Sequence, residues 1–447
     1  MGLDAAVVYA LLSRGYRAAA GLVSILLIGH FLSAVEQGYF YTFQSLVALQ
    51  AFVELGLFVV VVNVTSHEWS RLELDSRGRI VGDAEALSRL ISFGRKLATW
   101  YAGAAVVFVL VVAPLGAVFM AQNHGSEPLV FPWVAAVFSQ ALLLWVLPFQ
   151  AIYEGCNQIV SLHRFQFWQT VVSQAALWGL LIAGAGVWSV AGLLATQAVV
   201  AFYFLGVRNR AFFRPFYKKP KGPEIDWEKE VWPMQWRLAL QGAVNYFMYS
   251  VYTPVIFHYH GAVEAGRFGM TWQIFNVIQS ISLVWVQTRV PRFGTLVADR
   301  RFDELDTVWR RMTVISFIAY LVVIAGFLGT QSVLGYFNFS FIDRLLDVDV
   351  ELLLIPIGIG AIWVQCAALY WRSHKIEALG FMGVVPSLVN GALVWWLGAR
   401  YGSPGALSAY ILTLLMVMVP LVTYLKMQVA RTYRTQAGAQ IAKPANS

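Results

Sequence analysis

Two short stretches of this sequence are copies of one another. Residues 30–40 read HFLSAVEQGYF and residues 258–268 read HYHGAVEAGRF, with six identities in eleven positions at a constant offset of 228. Each stretch separates two long apolar runs, so each predicts a tight turn between two helices. Because the offset is close to half of the 447 residues, we predict that the chain consists of two duplicated halves.

The composition places these helices in a membrane. Hydrophobic residues make up 59% of the chain and charged residues only 13%, whereas a soluble domain carries about 25% charge. A membrane-spanning helix needs about 20 apolar residues. We predict an all-α polytopic membrane protein with twelve transmembrane helices, and not a β-barrel, whose strands alternate apolar and polar residues. The twelve apolar runs cover residues 7–33, 39–64, 97–120, 131–153, 165–186, 189–206, 235–258, 266–288, 312–334, 351–371, 381–399 and 405–425.

The basic residues are distributed unevenly between the two sides of the predicted membrane. With the amino terminus inside, 29 of the 32 lysines and arginines fall in inner loops, in the tail or in the inner half of the first run. The outer loops keep Arg267, Arg344 and Arg400. The positive-inside rule therefore predicts that both termini are cytoplasmic. The net charge of +8 reflects this topology, and we expect no nucleic-acid partner.

The duplication also predicts the domain organisation. We predict an N-lobe over residues 1–207, a cytoplasmic linker over 208–234, a C-lobe over 235–426 and a disordered cytoplasmic tail over 427–447. Six helices per lobe is an even number, so both lobes have the same orientation. They are therefore expected to be related by a pseudo-two-fold axis along the membrane normal.

Charged residues inside the first two spans are the first candidates for function, because charge is costly in a bilayer. Glu54 lies in a continuous apolar run, and Arg17 lies at the same depth, about 28 Å from the first hairpin. Either these two form an ion pair that locks two helices, or Arg14 and Arg17 face a cavity as surplus cations. Arg237 is the nearest cation in the second half. We predict that the three arginines bind a diphosphate, which suits guanidinium groups, and that Glu54 couples transport to protons or sodium.

Amide and tyrosine side chains recur at helical spacing in three of the apolar runs. One such residue in a span usually forms a hydrogen bond between helices. Three stripes, on helices from both lobes, indicate a shared water-filled central cavity whose polar side chains bind sugar hydroxyls. The candidate residues are Gln166 and Gln169 in the fifth run, Gln241, Asn245 and Tyr249 in the seventh, and Gln273, Asn276 and Gln279 in the eighth.

Other motifs have simpler interpretations. Ser33 and Glu36 have the spacing of a helix capping box. The two cysteines, Cys156 and Cys366, are too few for a metal cluster, so we expect no metal and no cofactor. No metalloprotease, serine hydrolase, Walker A or Rossmann motif stands in a suitable context, which predicts that the protein is not an enzyme.

The two repeat regions carry a family resemblance. The stretches LSAVEQGYFYTFQSL and FVELGLFVVVVNVTSHE in the first half, and GAVEAGRFGMTWQIF and VQTRVPRFGTLVADRRFDEL in the second, resemble bacterial polysaccharide and O-antigen flippases. These flippases belong to the exporter superfamily that also includes the MATE drug exporters and the lipid II flippase. The resemblance implies two six-helix lobes around a cationic central cavity that opens alternately to each side.

The resemblance also implies a function. Such a flippase moves a polyprenyl-diphosphate-linked oligosaccharide from the cytoplasmic to the periplasmic leaflet of the bacterial inner membrane, for cell-surface or exopolysaccharide synthesis. Its partners would be that substrate, membrane lipid, a polysaccharide polymerase and chain-length proteins.

Two alternatives stay open. The first is a MATE-like or major-facilitator exporter of a small solute or drug, since LDSRGR at residues 74–79 resembles the D-R-x-G-R loop of major facilitators in a different order. The second is a membrane glycosyltransferase or polymerase. A small-solute exporter would need no opening for a lipid tail, and a transferase would turn over its substrate in detergent.

Overall fold

The structure is a computed structural model that describes residues 2–54, 56–122, 129–374 and 383–441. Within these ranges, each of the twelve predicted apolar runs contains helix. Long apolar segments fold this way because a helix satisfies its own backbone hydrogen bonds without water. Six described helices are each long and apolar enough to cross a membrane, and a bent helix pair gives a seventh candidate. The predicted all-α, multi-pass membrane fold is confirmed.

The chain folds into two compact units, residues 1–266 and residues 267–447. In the first unit, helices are interrupted where glycine adopts a left-handed backbone, as at Gly56 with φ of 63°. Its elements are α1 (Gly2–Phe31), α2 (Ala34–Val47), α3 (Gln50–Glu54), α4 (Leu57–Trp69), β1 (Leu72–Leu74), β2 (Ile80–Gly82), α5 (Ala84–Gln122), α6 (Val130–Gly155), α7 (Ile159–Ile182), α8 (Trp188–Tyr203), α9 (Arg210–Phe213), α10 (Trp232–Tyr249) and the beginning of α11 (Tyr252–Gln287).

The second unit contains the rest of α11 and the helices that follow it. Aromatic residues fill its interior: the indole of Trp309 donates to the Cys366 carbonyl at 2.8 Å, and the Tyr320 hydroxyl donates to the Leu354 carbonyl at 2.7 Å. Its further elements are α12 (Val290–Ala298), α13 (Phe302–Tyr336), α14 (Val348–Glu351), α15 (Leu354–Ser373), α16 (Val384–Thr413) and α17 (Val419–Ile441).

Both repeat stretches form turns, as predicted. In the first, the Ser33 hydroxyl accepts from the Glu36 backbone N–H at 3.2 Å, and the Glu36 carboxylate accepts from the Ser33 N–H at 2.8 Å. This reciprocal pair is the predicted capping box at the start of α2. In the second, Gly261 breaks α11 with φ of 87° and ψ of 176°. Only glycine adopts this conformation without strain.

The two turns pack directly against one another within the first unit. Gly38 in α2 faces the backbone of Ala262, and a Cβ added to Gly266 would lie 2.8 Å from the Gly38 nitrogen. The Gln37 side-chain amide donates to the Gly266 carbonyl at 2.9 Å. Gly38 and Gly266 are repeat-equivalent at the offset of 228. The duplicated glycines therefore allow the two helices to cross with their backbones in contact.

A small β-hairpin connects α4 to α5. The Asp75 carboxylate accepts from the backbone N–H groups of Arg77 and Arg79, both at 2.8 Å, and Gly78 has φ of 70°. These backbone donors, that of Arg79 first, hold the pKa of Asp75 below its usual range. The stretch that resembles a major-facilitator loop is thus a hairpin turn, in which the aspartate binds the backbone.

The predicted linker packs along α5. Backbone N–H groups of Gly222 and Ile225 donate to the hydroxyls of Ser88 and Ser92 at 2.8 and 3.0 Å. Arg89 forms ion pairs with Glu68, at 2.8 Å, and with Glu230. The linker is therefore fixed on α5 by polar contacts on one helical face.

Two features of the structure lie near the predicted domain boundaries. The division between the compact units falls after Gly266, and α10, the predicted start of the C-lobe, belongs to the first unit. The lobe division and its two-fold relation stay predictions. Helix α17 continues to Ile441, through much of the segment expected to be a disordered tail, because alanine, glutamine and arginine there favour helix.

Candidate functional site

Arg17 lies on an exposed part of α1, beside α7. The neighbouring Tyr16 contacts Phe167 of α7 with ring centroids 5.8 Å apart. Two turns further along, Ser24 donates to the Gln174 side chain at 3.0 Å and accepts from the Trp178 indole at 2.9 Å. Helices α1 and α7 are therefore in register, and Arg17 lies at the same level as the predicted amides of α7.

The predicted amides of α7 are half-buried and already engaged. The Gln169 side chain donates to the Gln197 carbonyl of α8 at 2.8 Å, which is a bond between helices. The Gln166 carbonyl oxygen lies 3.2 Å from the ring nitrogen of His163, one turn away on the same helix. Among the described residues, no hydrogen bond uses the side-chain nitrogen of Gln166, whereas that of Gln169 binds α8.

Four predicted binding residues, Arg14, Arg237, Gln241 and Asn245, have side chains outside the described residues. Tyr249, the remaining member of the α10 stripe, is 44% exposed. These assignments stay predictions.

Glu54 is the last residue of the short helix α3, at the break in the second span. Helices α2 to α4 bend by 44° across this region, and the Glu54 side chain is half-buried. One turn earlier, Gln50 accepts a hydrogen bond from Gln140 of α6. The two interpretations of these charges, a locking ion pair and a surplus of cations facing a cavity, both stay predictions.

The predicted stripe on α11 falls in the second unit. Gln279 is buried, and its amide nitrogen has no hydrogen-bond partner among the described residues. The carbonyl oxygen of Gln273 is also buried without such a partner, whereas Asn276 is exposed. Buried amides without partners are costly. Water or a hydroxyl-rich ligand would offset that cost.

One completely buried acid was missed by sequence reasoning. Glu351 is completely buried in the second unit, and one of its oxygens accepts from the Thr271 hydroxyl at 3.2 Å. Its other oxygen has no partner among the described residues. The sequence places Glu351 at the edge of an apolar run, beside Asp347 and Asp349, where it resembles a loop acid. Only the packing of α11 and α13 around it makes it an interior residue.

Each unit also contains a basic pocket. In the second unit, a pocket of about 460 Å³ is lined by Arg289, Arg292 and Arg311 together with Trp285. Arg292 pairs with Glu304 at 2.7 Å, while Arg289 and Arg311 have no acidic partner among the described residues. In the first unit, a larger groove runs along α5. Both pockets combine cations with exposed apolar side chains.

Known proteins resemble this chain in structure. No family model matches the sequence, and no curated protein matches it. The lipid II flippase MurJ, in an inward closed conformation, matches with a TM-score of 0.65 and 13% identity, over 95% of this chain and 87% of that one. An inward-facing multidrug resistance MATE family transporter of the MOP superfamily matches with a TM-score of 0.59 and 13% identity, over 94% and 99%.

The chain shares its fold with these two proteins. A variant of the Vibrio cholerae MATE transporter VcmN also matches, with a TM-score of 0.54 and 13% identity, over 96% of this chain and 97% of that one. These three solved structures are thus two transporters and a flippase. Both the flippase and the MATE exporters have this fold, so the fold leaves the substrate undecided.

Proposed function

We propose that this protein is a flippase for a polyprenyl-diphosphate-linked oligosaccharide, moving it from the cytoplasmic to the periplasmic leaflet of a bacterial inner membrane. The observation that supports the proposal is Arg17, which is exposed in the first predicted span and level with the half-buried Gln166 of α7. A guanidinium group in a span suits an anionic ligand, because charge is costly in a bilayer. A diphosphate supplies the anion, and an attached sugar supplies hydroxyls for the amide.

The polar head group of the substrate and its polyprenyl tail need different surroundings. The guanidinium groups of Arg14, Arg17 and Arg237 would form bidentate hydrogen bonds with phosphate oxygens. Amide side chains bind the sugars, and the polyprenyl tail remains in lipid. Alternating access then follows as a shift of population between inward-open and outward-open states. Polysaccharide polymerase and chain-length proteins would act on the product outside.

A test of this function separates it from the alternatives. When the gene is deleted in its own host, the lipid-linked oligosaccharide should accumulate and the surface polymer should be lost. A mass spectrum of the purified protein should show the same oligosaccharide lipid. If instead no such lipid co-purifies, and deletion changes only sensitivity to small toxic solutes, a MATE-like exporter is the better assignment. Turnover of the lipid by the purified protein in detergent would identify a transferase.

We further propose that Glu54 couples transport to a proton or sodium gradient. It stands at a break in a membrane helix, where backbone groups are freed from intrahelical bonds and the acid can respond to an ion. Glu54→Gln keeps the shape but cannot titrate, so export should no longer respond to an imposed pH or sodium gradient, while insertion is unchanged. Glu73→Gln, at an exposed position of β1, is the matched control. A wild-type response in the Glu54 variant would remove this role.

A further inference from the structure

A long open groove lies along α5 in the first unit, with a volume of about 1020 Å³. Its cationic end is formed by Arg95 and Lys96, and its other end by Val107. Trp100 and Gly103 lie between them. Apart from Thr99, the other lining residues are apolar. The groove therefore joins a charged end to an apolar channel.

The length of the groove matches one leaflet of a bilayer. From Arg95 to Val107 the helix advances twelve residues, or about 18 Å. Half of the hydrocarbon core of a bilayer is about 15 Å thick. Trp100 is 42% exposed and lies 6.3 Å from the Trp227 ring, close to the cationic end. Tryptophans are enriched at the depth of lipid head groups. The cations therefore lie at head-group level, on the side of the basic loops.

The floor of the groove is open. A Cβ added to Gly103 would meet no atom within 4 Å, and Val107 is 54% exposed. A hydrocarbon chain can therefore lie directly on the α5 backbone at this glycine.

The charges at the head of the groove leave one positive charge uncompensated. Lys96 pairs with Glu224 at 3.2 Å and donates to the Ile225 carbonyl at 2.8 Å. Arg95 contacts only the carbonyls of Tyr217 and Lys218, both at 3.3 Å, and no acid among the described residues. A single net positive charge matches one monoanionic phosphodiester rather than a diphosphate.

We propose that this groove binds one anionic phospholipid of the inner leaflet, such as phosphatidylglycerol. Its phosphodiester contacts Arg95, and one acyl chain lies along α5 past Gly103 to Val107. The bound lipid bridges α5 and the linker, because Trp227 belongs to the same wall. Phe52 and Val53, which precede Glu54, also line the groove. The test of lipid binding does not depend on transport.

The test measures bound lipid directly. The full-length protein is purified in detergent with equal amounts of phosphatidylglycerol and phosphatidylcholine, and retained lipids are counted by native mass spectrometry. Wild type should retain phosphatidylglycerol at least about tenfold over phosphatidylcholine, because an ion pair at a partly desolvated site is worth about 1.4 kcal/mol or more. Arg95→Gln should lose one tightly bound phosphatidylglycerol per protein, and Gly103→Leu should lose it by filling the groove.

Matched variants control for charge and bulk. Arg77→Gln removes an exposed arginine in the β-hairpin turn, and Gly326→Leu adds the same bulk at an open helical glycine of α13. Both should retain lipid like wild type. If Gly103→Leu fails to fold, phosphatidylglycerol with brominated acyl chains should still quench tryptophan fluorescence of the wild type, and Trp100→Phe should lose part of that quenching.

Three results would overturn the proposal. Equal lipid retention in all four variants would show that the groove holds no specific lipid. Equal retention of the two lipids by wild type would show that the head group is not recognised. Displacement of phosphatidylglycerol by an equimolar polyprenyl phosphate would identify a carrier lipid as the occupant instead.

Discussion

Alanine at both Arg14 and Arg17 should reduce export of the polymer at least about 100-fold while leaving membrane insertion intact. Each guanidinium is expected to form charge-assisted hydrogen bonds with the diphosphate, and such a bond is worth about 1.5–3 kcal/mol. Losing two of them costs about 3 kcal/mol or more, which is about two orders of magnitude in the population of the loaded state. Export is measured as surface polymer, and insertion as protein in the membrane fraction.

Two comparisons make this result interpretable. Lysine at the same two positions keeps the charge but not the planar fork, so it should restore export only partly. Alanine at Lys218 and Lys219, two exposed linker lysines, removes the same charge and should leave export unchanged. Unchanged export in the double arginine variant would defeat the proposed function, because the proposal assigns the diphosphate to these two guanidinium groups.

Gly38→Ala should destabilise the folded protein by about 3 kcal/mol. A methyl group at this position would overlap the backbone carbonyl of Ala262, and backbone yields less readily than a side chain. Overpacking a well-packed contact costs about 1–3 kcal/mol, and more when the backbone must move. The loss is measured as a lower melting temperature of the purified protein, followed by intrinsic fluorescence.

The same crossing predicts the behaviour of two further variants. Gly266→Ala should show a similar loss, because its Cβ would lie 2.8 Å from the Gly38 nitrogen. The double variant should lose less stability than the sum of the two single variants, because both changes disturb the same contact. Gly326→Ala adds a methyl to open space within a helix and should be neutral or slightly stabilising. A melting temperature of Gly38→Ala equal to that of Gly326→Ala would contradict the close crossing.

Sequence reasoning could find many residues of the candidate site, but not the contacts and hydrogen bonds that each of them makes. Depth within an apolar run located Arg17 and Glu54, because an α-helix rises 1.5 Å per residue. The depth of a residue does not specify on which side of its helix the side chain lies, or which other helix it faces. The meeting of Arg17 and Glu54 therefore stays a prediction. Likewise, Gln169 satisfies the spacing of a cavity stripe, yet its amide is used to bind α8.

The sequence by itself determined the class of fold, the positions of the helices and the two duplicated turns. Apolar runs, capping residues and glycines act over a few neighbouring residues, and their patterns need no knowledge of distant contacts. Tertiary structure alone decided the backbone crossing at Gly38, the burial of Glu351 and the groove above Gly103. Each depends on which residues, far away in the chain, happen to lie opposite. Such proximity is fixed by packing among helices, and local sequence patterns do not encode it.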